Sequence, residues 1–232
     1  MKILITICAR KGSKRVKNKN MRDLIGKPLI AHTIETAKKW GRAHRIIVST
    51  DSDEIAEISR EYGAEVPFMR PDELASDTAP KLPVIQHAVK YLEDEENEKF
   101  DLIVDLDPTS PLRTVEDLEN AYNIMIQKDS INLFSVCLAR KNPYFNMVEL
   151  DEKGYAHLSK KLENPVFRMQ DTPKVYELNA SIYMYWRKHL FDMDSVINDG
   201  SIIYEMPDER SIDIDSEVDF KMVEFFIKGD SS

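Results

Sequence analysis

The chain alternates short, wholly apolar runs with longer segments whose apolar residues recur every three to four positions. Lys2 to Ala9, Arg45 to Ser49, Leu102 to Leu106 and Ile131 to Ala139 are apolar nearly throughout, which predicts strands buried on both faces. Between them, residues 29–40 repeat Leu29, Ile30, Thr33, Ile34 and Ala37 at helical spacing. Residues 81–95 place Val84, Ile85, Ala88, Val89 and Leu92 on one helical face. A helix over 53–62 takes its cap from Asp51 or Ser52 and stops at Gly63; another over 114–127 is capped by Thr114 with Asp117 in its first turn. This order predicts an α/β protein with a parallel sheet covered by helices on both faces.

From residue 140 the rhythm breaks. Pro143, Pro165 and Pro173, the charged turn Asp151–Gly154 and a short extended piece at Tyr144–Leu150 predict an excursion from the sheet. Its aromatics (Tyr144, Phe145, Tyr155, Phe167, Tyr176) predict that 140–178 is an arm rather than a passive loop, the alternative being that it packs back on its own domain and extends the core. Strands return at Ala180–Trp186 and Ser201–Met206, and a last helix covers Glu217–Ile227. No repeat, low-complexity tract or flexible linker divides the chain, so 1–232 reads as one domain carrying the arm.

Composition narrows the function classes. The net charge is −9, so any site for a polyanion must be local, and a nucleic-acid-binding module is disfavoured. Two cysteines, Cys8 and Cys137, sit inside apolar runs and read as buried reduced thiols, which fits a cytoplasmic protein. The apolar run after Lys2 is only seven residues long and meets Arg10 and Lys11, so it reads as a first strand rather than a signal segment. No run approaches the roughly 20 apolar residues of a membrane span.

Candidate chemistry concentrates in three places. Directly after the first strand, Arg10 to Asn20 holds six cations in eleven residues, with Gly12 letting the backbone approach a ligand. In an α/β sheet such a loop lies beyond a strand's carboxyl end, where phosphates bind; the plainer reading is a solvated basic loop. It is neither a Walker loop nor a dinucleotide fingerprint. Asp105 and Asp107 end a strand with both acids on one face. Asp213 and Asp215 repeat that spacing before the last helix. Paired carboxylates suit Mg2+ with substrate phosphates, although acids at strand ends and helix starts also serve as caps, and Asp215 could cap the last helix. The five histidines lack ligand spacing, no G-x-S-x-G elbow occurs, and Met184, Tyr185 and Trp186 read as core.

Six segments carry a resemblance: ICARKGSKRVKNKN, IVSTDSDEIAEISREYGAEV, RPDELASDTA, DPTSPLRT, LNASIYMY and SIDIDSEVDF. In this order they resemble the cytidylyltransferases that activate nine-carbon sugar acids, the CMP-N-acylneuraminate synthetases and their legionaminic-acid relatives. The resemblance implies a Rossmann-like nucleotide-diphospho-sugar transferase fold with a mostly parallel sheet, a homodimer joined through the inserted arm, and Mg2+ or Mn2+ dependence. It implies that CTP and a nonulosonic acid give the CMP-sugar and pyrophosphate. By position it assigns Arg10, Gly12, Ser13, Lys14, Lys19, Asn20, Arg70 and Ala79 to the nucleotide. Asp213 and Asp215 match the metal ligands, and Arg10, Lys19, Asp213 and Asp215 form the catalytic set. Asp107, Arg168 and Tyr183 match the sugar-acid contacts. Sialic-acid members commonly carry Gln where Asp107 stands, so Asp107 is expected to add a metal ligand, orient the sugar acid or cap the Pro108–Ser110 turn. The segments ARKNPYFNMVEL, TAPKLPV and DLDPTSPLR look more like the legionaminic branch. A synthetase for a 3-deoxy-octulosonate-type acid is the nearest alternative.

Overall fold

A computed structural model describes residues 1–12, 15–164 and 166–229. Strand β1 (Ile3–Cys8) leads through the basic loop into a two-stranded ribbon, β2 (Asp23–Leu24) and β3 (Lys27–Pro28), and then α1 (Leu29–Trp40). The chain continues through β4 (Arg45–Ser49), α2 (Asp53–Glu61), α3 (Lys81–Glu95), β5 (Leu102–Leu106), α4 (Val115–Gln127) and β6 (Asn132–Leu138). The arm adds β7 (Val148–Leu150) and β8 (Ala156–Leu158). It ends in β9 (Tyr176–Trp186), followed by α5 (Arg187–Leu190), β10 (Ser201–Glu205) and α6 (Glu217–Gly229).

Six strands form one sheet in the order β10-β6-β9-β5-β1-β4. Strand β1 runs parallel to β4 and β5, and β10 runs parallel to β6. Strand β9 is antiparallel to both of its neighbours, so the sheet is mostly rather than wholly parallel. The reason lies in the connection: the arm returns the chain from β6 without a crossover helix, and a returning strand must run backwards. Strand β9 also begins within the expected arm, since Tyr176, Glu177 and Leu178 already pair with β6. Its pairing is interrupted at Ala180, whose φ of 49° lies in the left-handed region, and the bulge turns Asn179 into the interior.

Alternation along the strands sorts side chains onto two faces. Ile3, Ile5 and Ile7 of β1, with Leu102, Val104 and Leu106 of β5, pack against Ile30 and Ile34 of α1 and Leu118 and Met125 of α4. The opposite face meets α3 through Leu82, Ile85, Val89 and Leu92, against Leu4, Ile103, Tyr183 and Tyr185. Thr6, Cys8 and Asp105 share the parity of Leu4 and Ile103, so polar groups at the strand ends face the start of α3. A third cluster joins Val16, inside the basic loop, to Ile214 and to Phe220 and Val223 of α6. That buried valine anchors the cationic loop against the segment bearing Asp213 and Asp215.

Caps follow the sequence closely. Ser52 accepts from the Ile55 amide to start α2, and Thr114 and Asp117 form a reciprocal capping box on α4. At α6 the cap is Ser216, paired with Asp219, rather than Asp215. Residues 211–215 are irregular rather than a strand.

Candidate functional site

A cleft of about 290 Å³ opens where the loops after β1 and β5, the segment before α3 and the segment before α6 converge. This is the carboxyl edge of the parallel half of the sheet, where α/β proteins bind ligands. Arg10, Lys19, Asn20, Arg70, Ala79, Asp107, Asp213 and Asp215 all line it. All eight were grouped by the resemblance from separated stretches of chain, and the fold brings them to one cleft.

The cations are held by carboxylates and carbonyls. Arg10 pairs with Asp77 across the cleft mouth. Lys19 donates to the Ile214 carbonyl and lies 3.6 Å from Asp215 Oδ1, while Arg15 approaches Asp215 Oδ2 at 3.4 Å. Arg70 is buried, and its guanidinium donates to the hydroxyl and carbonyl of Ser49 at the end of β4. Asn20 donates to the Arg10 carbonyl at 3.2 Å, and its Oδ1 is a buried acceptor with no partner. Such an orphaned acceptor is costly unless a ligand donor meets it.

The acids divide into two groups. Asp105 is fully buried and accepts from Thr6 Oγ1 at 2.7 Å and Lys81 Nζ at 2.8 Å. Lys81 also donates to Asp107 Oδ2 at 2.8 Å, and Thr109 donates to Asp107 Oδ1 from its amide and hydroxyl. Asp107 therefore lines the cleft and caps the turn at once. Burial alone would lift its pKa, but the Lys81 ammonium and the Thr109 donors hold it below the ordinary aspartate value.

Asp213 is in the opposite condition. Burial, and then the charge of Asp107, push its carboxyl up to about 6. Its one hydrogen bond among the described residues is to Thr109 Oγ1. That hydroxyl has a single proton and also faces Asp107, so it cannot satisfy both carboxylates. Asp213 keeps open acceptor capacity in a cleft shared with Asp107 and Asp215, and a divalent cation would relieve the crowding. No group of three or more potential protein ligands occurs among the described residues. Mg2+ needs only one or two carboxylates when phosphates and water complete its shell, so Asp213 with Asp215 fits it.

Other expected residues lie elsewhere. Gly12 has φ 86° with open space around its α-carbon, and it stands outside the cleft lining. Ser13 and Lys14 lie outside the described residues. Tyr183 is buried beneath Lys81, its ring centroid 4.6 Å from Nζ, and does not line the cleft. Arg168 is exposed on the arm, gripping Asp171 through two hydrogen bonds of 2.8 and 3.0 Å. It is not brought to the cleft.

Sequence reasoning passed over Lys81, Thr109 and Arg113. Arg113 is buried and donates to the Ser181 carbonyl at 2.6 Å and to Thr33 at 3.1 Å, tying the turn after Asp107 to β9 and α1. Burial lowers its guanidinium to about 10. A signal for Lys81 did exist: a lysine at the first position of a helix stands at the wrong end of the helix dipole, with no acid in its own first turn.

A family model described as cytidylyltransferase matches residues 4–222. The chain is 42% identical over 226 residues to a post-translational flagellin modification protein B of Campylobacter coli, covering 97% of this chain and 95% of that protein. It is also 42% identical to a CMP-N,N'-diacetyllegionaminic acid synthase of Campylobacter jejuni, covering 97% of this chain and 94% of the relative. Among solved structures, a CMP:2-keto-3-deoxy-manno-octonic acid synthetase complexed with CTP superposes with a TM-score of 0.71 at 18% identity, over 99% of this chain and 100% of that one. That likeness shows the shared Rossmann-like fold. With its family match spanning nearly the full length, the chain belongs to the cytidylyltransferase family.

Proposed function

We propose that the protein couples CTP to a nine-carbon sugar acid of the legionaminic type, giving the CMP-sugar and pyrophosphate. The observation that carries this reading is the convergence, in one cleft, of loop cations, an orphaned asparagine acceptor and the Asp213–Asp215 carboxylates. The 42% identity to a legionaminic acid synthase supports the choice of acid.

In this reaction the hydroxyl oxygen at C2 of the acid attacks the α-phosphorus of CTP, its proton passes to solvent, and the bond from the α-phosphorus to the oxygen of the departing pyrophosphate breaks. Such a transfer needs in-line placement and charge neutralisation more than covalent help. Arg10 and Lys19 exchange their carboxylate and carbonyl partners for the β- and γ-phosphates and stabilise the departing pyrophosphate. Asn20 and Arg70, at the inner wall, hold the nucleoside, and Asp107, fixed by Lys81 and Thr109, orients the incoming acid. Asp213 and Asp215 would hold Mg2+ or Mn2+, which supplies neutralisation of phosphate charge and polarisation of the α-phosphate. The arm's exposed apolar hairpin serves a second copy of the chain, forming a homodimer.

The test is pyrophosphate release with CTP, ATP and UTP against legionaminic, pseudaminic and neuraminic acids. Turnover is expected with CTP and fastest with the legionaminic acid. Equal rates with ATP or UTP, or no release with any nine-carbon acid, would overturn the reading.

A further inference from the structure

Lys81 is an odd residue at which to begin a helix. It occupies the first position of α3, where the backbone amides already present positive charge, and Pro80 before it supplies no side-chain cap. What holds it there is chemistry from β5. Its ammonium donates at 2.8 Å to both Asp105 and Asp107, and the Tyr183 ring lies 4.6 Å away on β9. Every oxygen of the two carboxylates is thereby engaged: Thr6 takes Asp105 Oδ1, Thr109 takes Asp107 Oδ1, and Lys81 takes both Oδ2 atoms.

Asp107 lines the cleft that also carries Asp213 and Asp215, and Asp105 is buried behind it at the same strand end; with nothing between them, two such carboxylates would draw a divalent cation of their own. Here the position between them is filled by a side chain. We propose that the Lys81 ammonium stands in place of a second metal ion: it neutralises Asp105 and Asp107 and confines the divalent cation to Asp213 and Asp215. Through the Asp107–Thr109–Asp213 chain it also fixes where Asp213 presents its open oxygen. Lys81 is thus a positioning residue. The proposal rests on the nucleotidyl-transfer reading for its purpose, but the cation count it specifies does not depend on which substrate is used. Burial disfavours the charged form of Lys81, but the two carboxylates beside it hold its pKa well above the ordinary lysine value.

The experiment counts bound Mn2+ by electron paramagnetic resonance, without nucleotide, in the wild type, Lys81→Met, Lys81→Arg and the double variant Lys81→Met/Asp107→Asn. Lys81→Met should bind one more Mn2+ per chain than the wild type. Lys81→Arg and the double variant should bind no more than the wild type. Equal counts in the wild type and folded Lys81→Met would overturn the proposal. If Lys81→Met does not fold alone, recovery of its melting transition by millimolar Mg2+, but not by NaCl of equal ionic strength, supports it; failure with both salts overturns it. In parallel, pyrophosphate release by Lys81→Met should need at least ~5-fold more Mg2+ for half-maximal rate, with Lys81→Arg close to wild type. A wild type that releases no pyrophosphate would sink the proposed function while the Mn2+ counts still decide the role of Lys81.

Discussion

At the scale of the residue, Asp213 is the strained member of the site. Burial and then the charge of Asp107 hold its folded pKa at about 6, above the ordinary aspartate value. A raised pKa contributes stability below the unfolded value that is lost as pH rises through the folded one, so near neutrality the metal-free protein carries an uncompensated carboxylate. Asp213→Asn should therefore melt ~2–4 °C higher than the wild type in EDTA at pH 7.5, and no higher at pH 4. The same variant should lose ~10²–10³-fold in kcat, as expected for removal of an electrostatic stabiliser. Differential scanning fluorimetry and pyrophosphate release check the two halves. A lower melting temperature at pH 7.5 would mean that the carboxylate is structural. Asp107, only two residues from Asp105, shows the contrasting outcome: the same burial is answered by Lys81 and Thr109, and its pKa falls.

At the scale of the element, α4 is pinned by one carboxylate. Asp117 is fully buried, closes the capping box with Thr114, and accepts from Tyr204 and from two nitrogens of Arg210 at 2.9 Å each. Burial works against its charge, but these donors win and keep its pKa below the ordinary value. A lowered pKa contributes stability that is present above the unfolded value near 4 and lost as pH falls below it. Asp117→Ala should cost about 2–4 kcal/mol in urea unfolding at pH 7, through the lost cap and the stranded arginine. The gap to the wild type should narrow at pH 3; a constant gap at both pH values would locate the loss in packing instead.

At the scale of the whole molecule, the arm stands apart from the core. Val148 is 62% exposed, Leu150 70% and Phe167 87%, and among the described residues the β7–β8 hairpin forms a separate two-stranded sheet. Large apolar side chains this exposed predict an interaction surface. Val148 and Leu150 stand two residues apart on one face of β7. Sedimentation of the wild type at micromolar concentration should give a dimer, and Val148→Glu/Leu150→Glu should give a folded monomer with reduced activity. A fully active wild-type monomer would remove the arm from the mechanism.

The local pattern by itself determined most of the elements. Helices over 29–40 and 81–95 fall where apolar spacing placed them, and Ser52 and Thr114 cap as their side-chain oxygens dictate. The basic loop after β1 and the same-face pairing of Asp105 with Asp107 were equally legible, because strand alternation and loop position are properties of a few neighbouring residues. The direction of β9 was not legible, since an apolar run buried on both faces reads the same way in either direction. Nor was it legible that Arg168 stays away from the cleft or that Lys81 enters between Asp105 and Asp107, whereas the Ser216–Asp219 cap is a Ser-x-x-Asp pattern that neighbouring residues already encode. The direction of β9 and the place of Lys81 belong to tertiary structure alone: which donor satisfies the buried Asp105 depends on which distant segments the sheet order brings within about 3 Å, and no periodicity in the chain encodes that distance.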